Sequence, residues 1–244
     1  MTTLRRLARR VLPLGLRQAL SHARRAMRDR AAGVRFGRMR GGEGWPAWVE
    51  IGQPVMPSAT LEAKLANLRL GASRIDGSVI EAGECWSFWD RVGRPSARRG
   101  FARGRNLVDG RLVIQTGGGL CQLSGLIHHL ALSSGLEVSE RHAHSIDIYR
   151  EDERFTPLGA DATVVWGVKD LRLRNPHPFP VAISCAVDGA RVVARLRSEQ
   201  PIAQRTVDFV REPAAASRVR VWTVIGDVRA CETEYERREG LQPA

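Results

Sequence analysis

The chain has 244 residues, 43% of them hydrophobic and 26% charged, which suits one substantial core with appendages. Its net charge of +12 is concentrated: residues 1–40 hold twelve arginines against one acid, Asp29, so the other 204 residues carry only +1. That split excludes a basic nucleic-acid-binding body, and the wide spacing of Cys85, Cys121, Cys185 and Cys231 excludes zinc-ribbon and C-x-x-C redox readings.

Residues 1–40 read as a basic helical arm, with Leu4, Leu7, Val11, Leu12, Leu14, Leu16 and Leu20 among the arginines and Pro13 dividing two amphipathic segments. The apolar run from Val11 to Leu16 is too short for a signal-peptide core, and no stretch reaches the ~20 apolar residues of a membrane span. The expected location is therefore cytoplasmic and peripheral at the inner membrane face, with the arm on anionic lipid. A solvated arm with no partner is the plain alternative. No specific nucleic acid is expected, and the sparse cysteines suit a reducing compartment.

Residues 41–59, opened by Gly41-Gly42-Glu43-Gly44 and Pro46, read as a linker. The main domain is expected over 60–200 and a strand-rich C-terminal extension over 201–244. Leu61, Leu65 and Leu68 predict a helix over 60–70, with Thr60 as its N-cap. Residues 78–89 read as strand, turn and strand, and 91–105 as a loop. A turn at Asp109-Gly110 then leads into a strand over 111–115.

The stretch Gly117-Gly118-Gly119-Leu120-Cys121-Gln122 follows that strand and opens a helix whose buried face is Leu123, Leu126, Ile127, Leu130 and Ala131, ending at Gly135. Side-chain-free glycines let the backbone take positive φ and let a ligand approach. They set Cys121 in the first helical turn, where free N–H groups and the dipole favour a thiolate. A small buried cysteine after a tight joint is the bland alternative.

A strand is expected from Leu136 through Tyr149, with His142 and His144 on one face and Arg141 on the other. Strands at 162–166 and 171–174 follow, then a hairpin of 181–186 with 191–196 turning at Asp188-Gly189, and further strands at 206–210 and 219–224. Helices first and strands after predict a single α+β domain with a largely antiparallel sheet, a central helix and a preceding basic arm.

Cys121, His142, His144 and Asp161 fall within forty-one residues. A cysteine nucleophile needs a base, and the base needs a partner to fix its tautomer. We assign Cys121 as nucleophile, His144 as base with His142 as its alternative, and Asp161 as orienter. Gly117, Gly118, Gly119 and Gln122 are assigned to the substrate, with backbone N–H groups from 119 to 122 as oxyanion donors. The order helix cysteine, histidine strand, aspartate strand is the transglutaminase-like and papain-like arrangement. Zinc on the same four residues ranks below the triad, so neither metal nor cofactor is expected. His128 and His129 point about 100° apart on the helix and read as structural.

Five runs then coincide with one family: Glu81-Ala82-Gly83-Glu84-Cys85-Trp86-Ser87-Phe88-Trp89, the glycine stretch through Gln122, Glu140-Arg141-His142-Ala143-His144-Ser145, Asp161-Ala162-Thr163-Val164 and Asp170-Leu171-Arg172-Leu173-Arg174-Asn175. In this order they closely resemble the VanW family. Cys85 departs from the family pattern and is given no role. The resemblance implies a link to the cell envelope and glycopeptide resistance, without a reaction. Two functions are expected: a thiol-dependent hydrolase or transpeptidase on a peptide or amide, or a non-catalytic module binding a peptidoglycan precursor or other envelope ligand.

Overall fold

The computed structural model describes residues 12–108, 111–147, 149, 154–215 and 217–238. The first eleven residues of the arm and the Asp109-Gly110 turn lie outside this set. In chain order come α1 (Leu14–Ala31), β1 (Ala47–Pro54), α2 (Leu61–Ile75), β2 (Ser78–Ile80), β3 (Cys85–Ser87) and α3 (Phe88–Val92). The hairpin strands β4 (Arg103–Val108) and β5 (Arg111–Thr116) lead into the central helix α4 (Leu120–Ser134). After it come β6 (Glu137–Glu140), β7 (Ile146–Asp147), β8 (Arg172–Arg174), β9 (Val181–Asp188) and β10 (Arg191–Arg197). Three strands close the described chain: β11 (Val207–Ala215), β12 (Arg218–Ile225) and β13 (Val228–Arg237).

The fold is α+β with largely antiparallel pairing. Its main sheet runs β1-β10-β9-β2, antiparallel throughout, and α2 packs on β9 while α4 packs on β1 and β10. Val181, Ile183, Val192, Ala194 and Leu196 of the sheet share one core with Leu68, Ile75, Leu123, Leu126, Ile127 and Leu130 of the helices. Full burial of each Val, Ile and Leu side chain among them contributes about 1.5–3 kcal/mol, which makes this layer the fixed platform of the molecule. A second sheet, β11-β12-β13, carries β7 parallel to β13, and a third runs β3-β8-β6.

Several expectations are corrected. Residues 41–59 are not connection alone: β1 pairs along β10 and buries Val49. Glycine and proline on both sides of this strand masked its pattern. The stretch 136–149 is not one strand, because β6 stops at Glu140 beside an irregularity against β8, and 141–145 are irregular before β7. No strand forms over 162–166; Val165 makes only an isolated bridge to Lys169. Thr60 precedes α2 without a side-chain capping bond.

The arm is docked on the body rather than separate. Arg172 grips the Asp29 carboxylate of α1 with two bonds of 2.8 Å, Arg25 pairs with Glu140, and His22 stacks on Trp166. Beyond α1, Phe36 bridges to Cys85 and Arg40 to Ser78, so residues 35–40 belong to the body.

Candidate active site

Cys121 takes its place from two glycines. Gly119 is the N-cap of α4 at φ +99°, a left-handed conformation, and a Cβ there would fall 2.8 Å from Lys64 Cγ. Gly118 lies against the backbone of β4: a Cβ on it would come within 2.6 Å of the Gly104 Cα. Asn67, wholly buried on α2, ties this joint down, donating to Gly118 O (2.9 Å) and Ala102 O (3.1 Å) and accepting from Ala102 N–H (2.8 Å).

The other side of the site is a segment laid along α4. Ser124 donates to Ala162 O at 2.6 Å, and His128 meets Ala160 O at 2.9 Å through Nδ1. Between them Gly125 has no side chain, and a Cβ there would touch Asp161 Cα at 3.4 Å. Ser124, Gly125 and His128 thus form one seam of the helix, and α4 is buried nearly all round instead of on one face. The structural role expected for His128 is this seam; burial, reinforced by the Arg141 charge, lowers its pKa to about 4, so it stays neutral. The seam brings Asp161 beside the helix start and sets Val164 O 4.0 Å from the Cys121 sulfur.

Asp161 gathers four donors. Its Oδ2 accepts the His144 backbone N–H at 2.7 Å and the ring Nδ1–H at 2.8 Å. Its Oδ1 accepts Arg141 Nη2 at 3.0 Å and the Tyr235 hydroxyl at 2.5 Å. Burial opposes ionisation, but the His144 hydrogen bond and the Arg141 charge outweigh it and hold this carboxyl far below the usual range. With Nδ1 committed, Nε2 of His144 is left for the thiol. Burial would lower the His144 pKa; Asp161 and Cys121 together raise it, to about 10. Burial would raise that of Cys121, and its interaction with the neighbouring His144 imidazolium outweighs this and brings it below the ordinary thiol value. The two shifts run in opposite directions, and both favour the thiolate–imidazolium form of the pair over the neutral one.

Cys121, His144, Asp161, Gly119 and Gln122 line one cavity of about 200 Å³, together with Gln53, Lys64, Arg105 and Tyr235. His142 does not line it. Its Nε2 meets Glu140 at 2.9 Å, in the charged network that also holds Arg25 and Arg172. The rule that i and i+2 share a face fails because 141–145 are not strand. Gly117 and Gly118 do not line the cavity either; their missing side chains serve Pro95 and Gly104. The oxyanion expectation narrows as well: the Leu120 and Gln122 amides already donate to Gly117 O and Gly119 O, whereas the Cys121 amide has no acceptor among the described residues. The four residues of the zinc reading do not converge, and no metal-ligating cluster occurs among the described residues.

Arg141 and Tyr235 escaped the sequence reading. Arg141 also donates to Asp161 O (2.9 Å) and Gly159 O (3.0 Å), clamping the whole segment. Tyr235 comes from β13, where Glu232, Glu234 and Glu236 alternate with Cys231, Thr233 and Tyr235; that period of two was the available signal.

A family described as VanW like protein matches residues 63–197, more than half of the chain. This chain belongs to the VanW family. It is 28% identical over 189 residues to the vancomycin B-type resistance protein VanW of Enterococcus faecalis (strain ATCC 700802 / V583), covering 72% of this chain and 69% of that protein. It is 31% identical over 153 residues to the uncharacterized protein YoaR of Bacillus subtilis (strain 168), covering 63% of this chain and 48% of that one, so it spans about half of this relative. No solved structure matches. The span matched to the VanW family contains Lys64, Arg105, Cys121, His144 and Asp161; Gln53 and Tyr235 join the cavity from outside it.

Proposed function

We propose that this VanW-family chain is a thiol-dependent acyl-transfer enzyme, a hydrolase or transpeptidase, acting on a peptide or amide of the cell envelope. One observation carries the reading: a thiol, an imidazole and an ionised carboxylate in series on the wall of a single cavity. The Cys121 thiolate attacks the amide carbon, and the Cys121 N–H receives the developing oxyanion. The imidazolium of His144 gives its Nε2 proton to the leaving amine, and an acyl thioester remains on Cys121. Water, or a second amine, then attacks the thioester while His144 takes its proton back, and the thiolate leaves. Asp161 keeps the ring in register and stays ionised throughout, with Arg141 and Tyr235 satisfying its other oxygen.

The same reading puts α1 on an anionic membrane surface. Leu16, Leu20 and Met27 stand exposed on one stripe with Arg24. No helix among the described residues is long and apolar enough to cross a membrane.

The test is mass spectrometry of intact protein mixed with peptidoglycan-derived peptides. A thioester on Cys121, absent in Cys121→Ala, supports the enzyme. Peptide retained non-covalently, equally by Cys121→Ser and the native chain, replaces it with the binding module.

A further inference from the structure

Two cations at the cavity wall have no acid partner among the described residues. Lys64 is one of only two lysines in the sequence, and its stem lies against Gly119, two residues from the thiol. Its ammonium stands 5.4 Å from the centre of the Phe155 ring. Arg105 of β4 lines the same space. The two act on each other as like charges: burial, then Arg105, lowers the Lys64 pKa to about 8. A third cation there, Arg154, is already held by Asp147 through bonds of 2.8 and 3.1 Å.

Two buried acceptors on side chains that line the cavity also lack donors. Gln122 donates Nε2 to Pro54 O at 2.8 Å, which fixes its amide orientation and leaves Oε1 without a partner. Gln53 donates Nε2 to Thr156 Oγ1 at 3.0 Å, and its Oε1 is likewise unpartnered. Both side chains are more than nine-tenths buried, at 5% and 3% exposure. Leaving such a group unmet is destabilising, and crowding unpaired like charges adds to that. The missing complement is a molecule with amide N–H donors and an anion.

We propose that Lys64 and Arg105 form a carboxylate subsite beside Cys121, so that the acyl donor is an acylated amino acid or peptide with a free carboxylate, its N–H groups meeting Gln53 and Gln122. This rests on the acyl-transfer reading of the same cavity. Lys64 and Arg105 bind and position the substrate and take no part in bond making.

The test compares alkylation of Cys121 by iodoacetate, which carries a carboxylate, with alkylation by neutral iodoacetamide. Dividing one rate by the other cancels the reactivity of the thiol itself. In the native chain the ratio should exceed that of the same cysteine in urea. It should fall about fivefold or more in Lys64→Met and in Arg105→Gln, and Lys64→Arg should restore it. A native ratio equal to the unfolded one, or one that neither substitution changes, overturns the subsite. If Cys121 reacts with iodoacetamide no faster than the other cysteines, the acyl-transfer reading fails instead, whatever the ratio. A second measurement uses the native chain alone, with N-acetylalanine, N-acetylaspartic acid α-amide (free only at its side-chain carboxylate) or N-acetylalanine amide as protectants against iodoacetamide. Protection by the first assigns the subsite to a terminal carboxylate and by the second to a side-chain carboxylate. Equal protection by the uncharged amide contradicts the proposal.

Discussion

Asp161 is the residue on which the site turns, because four donors converge on one buried carboxylate. Its folded pKa is depressed, so its stabilisation is fully present above the unfolded value of ~3.9 and is lost as pH falls below it. Asp161→Asn should cost about 3 kcal/mol at pH 7, since Arg141 would be left buried and unpaired. The gap between native and variant chains should shrink below about pH 4, as urea melts across pH 3–7 will show. A gap that is the same at pH 3 and pH 7 contradicts the assigned ionisation. At this scale Cys121, His144 and Asp161 were legible in the sequence, because cysteine, histidine and aspartate announce their chemistry by type, and the structure places all three on one cavity. The sequence hid Arg141 and misplaced His142, because strand parity was applied where the chain leaves the strand.

Among the elements, α4 and the two chains packed on its first turns decide the geometry. Gly118 abuts Gly104, whereas a Cβ on Gly44 would meet nothing within 4 Å. Gly118→Ala should therefore destabilise by about 1–3 kcal/mol, whereas Gly44→Ala should stay within about 0.5 kcal/mol of the native chain in thermal melts. Equal effects would mean that the close approach of β4 does not set the joint. The helix was legible in its apolar period and its closing Gly135. Its second face was not, since Ser124, Gly125 and His128 match only when the chain at 160–162 is known to lie over them. Isolated strands such as β7 and β8 are too short to show a period, and long-range pairing defines them.

For the whole molecule the charge split survives, but its boundary moves. Residues 35–40 pair with the body, so the separable unit ends near Ala31. Deleting residues 1–31 should leave a folded domain, slightly destabilised by loss of the Arg172–Asp29 and Arg25–Glu140 pairs. It should also remove most binding to anionic vesicles, at about 1 kcal/mol per basic residue near the surface, and native binding should fade with salt. Undiminished vesicle binding by the truncated chain would assign the membrane contact elsewhere. The C-terminal strands, expected as an extension, supply Tyr235 to the site, so the chain beyond the family's matched span is part of the cavity.

The most direct measurement is the rate of Cys121 alkylation by iodoacetamide against pH, in the native chain and in His142→Ala and His144→Ala. In the native chain Cys121 should react well below the ordinary thiol range and faster than Cys85, whose pKa burial raises, or Cys185, which burial pushes up to about 12. His144→Ala should move the Cys121 profile up by more than one pH unit, about tenfold in rate at pH 7, and His142→Ala should leave it in place. A profile shifted only by His142→Ala, or by neither substitution, contradicts the thiolate–imidazolium couple.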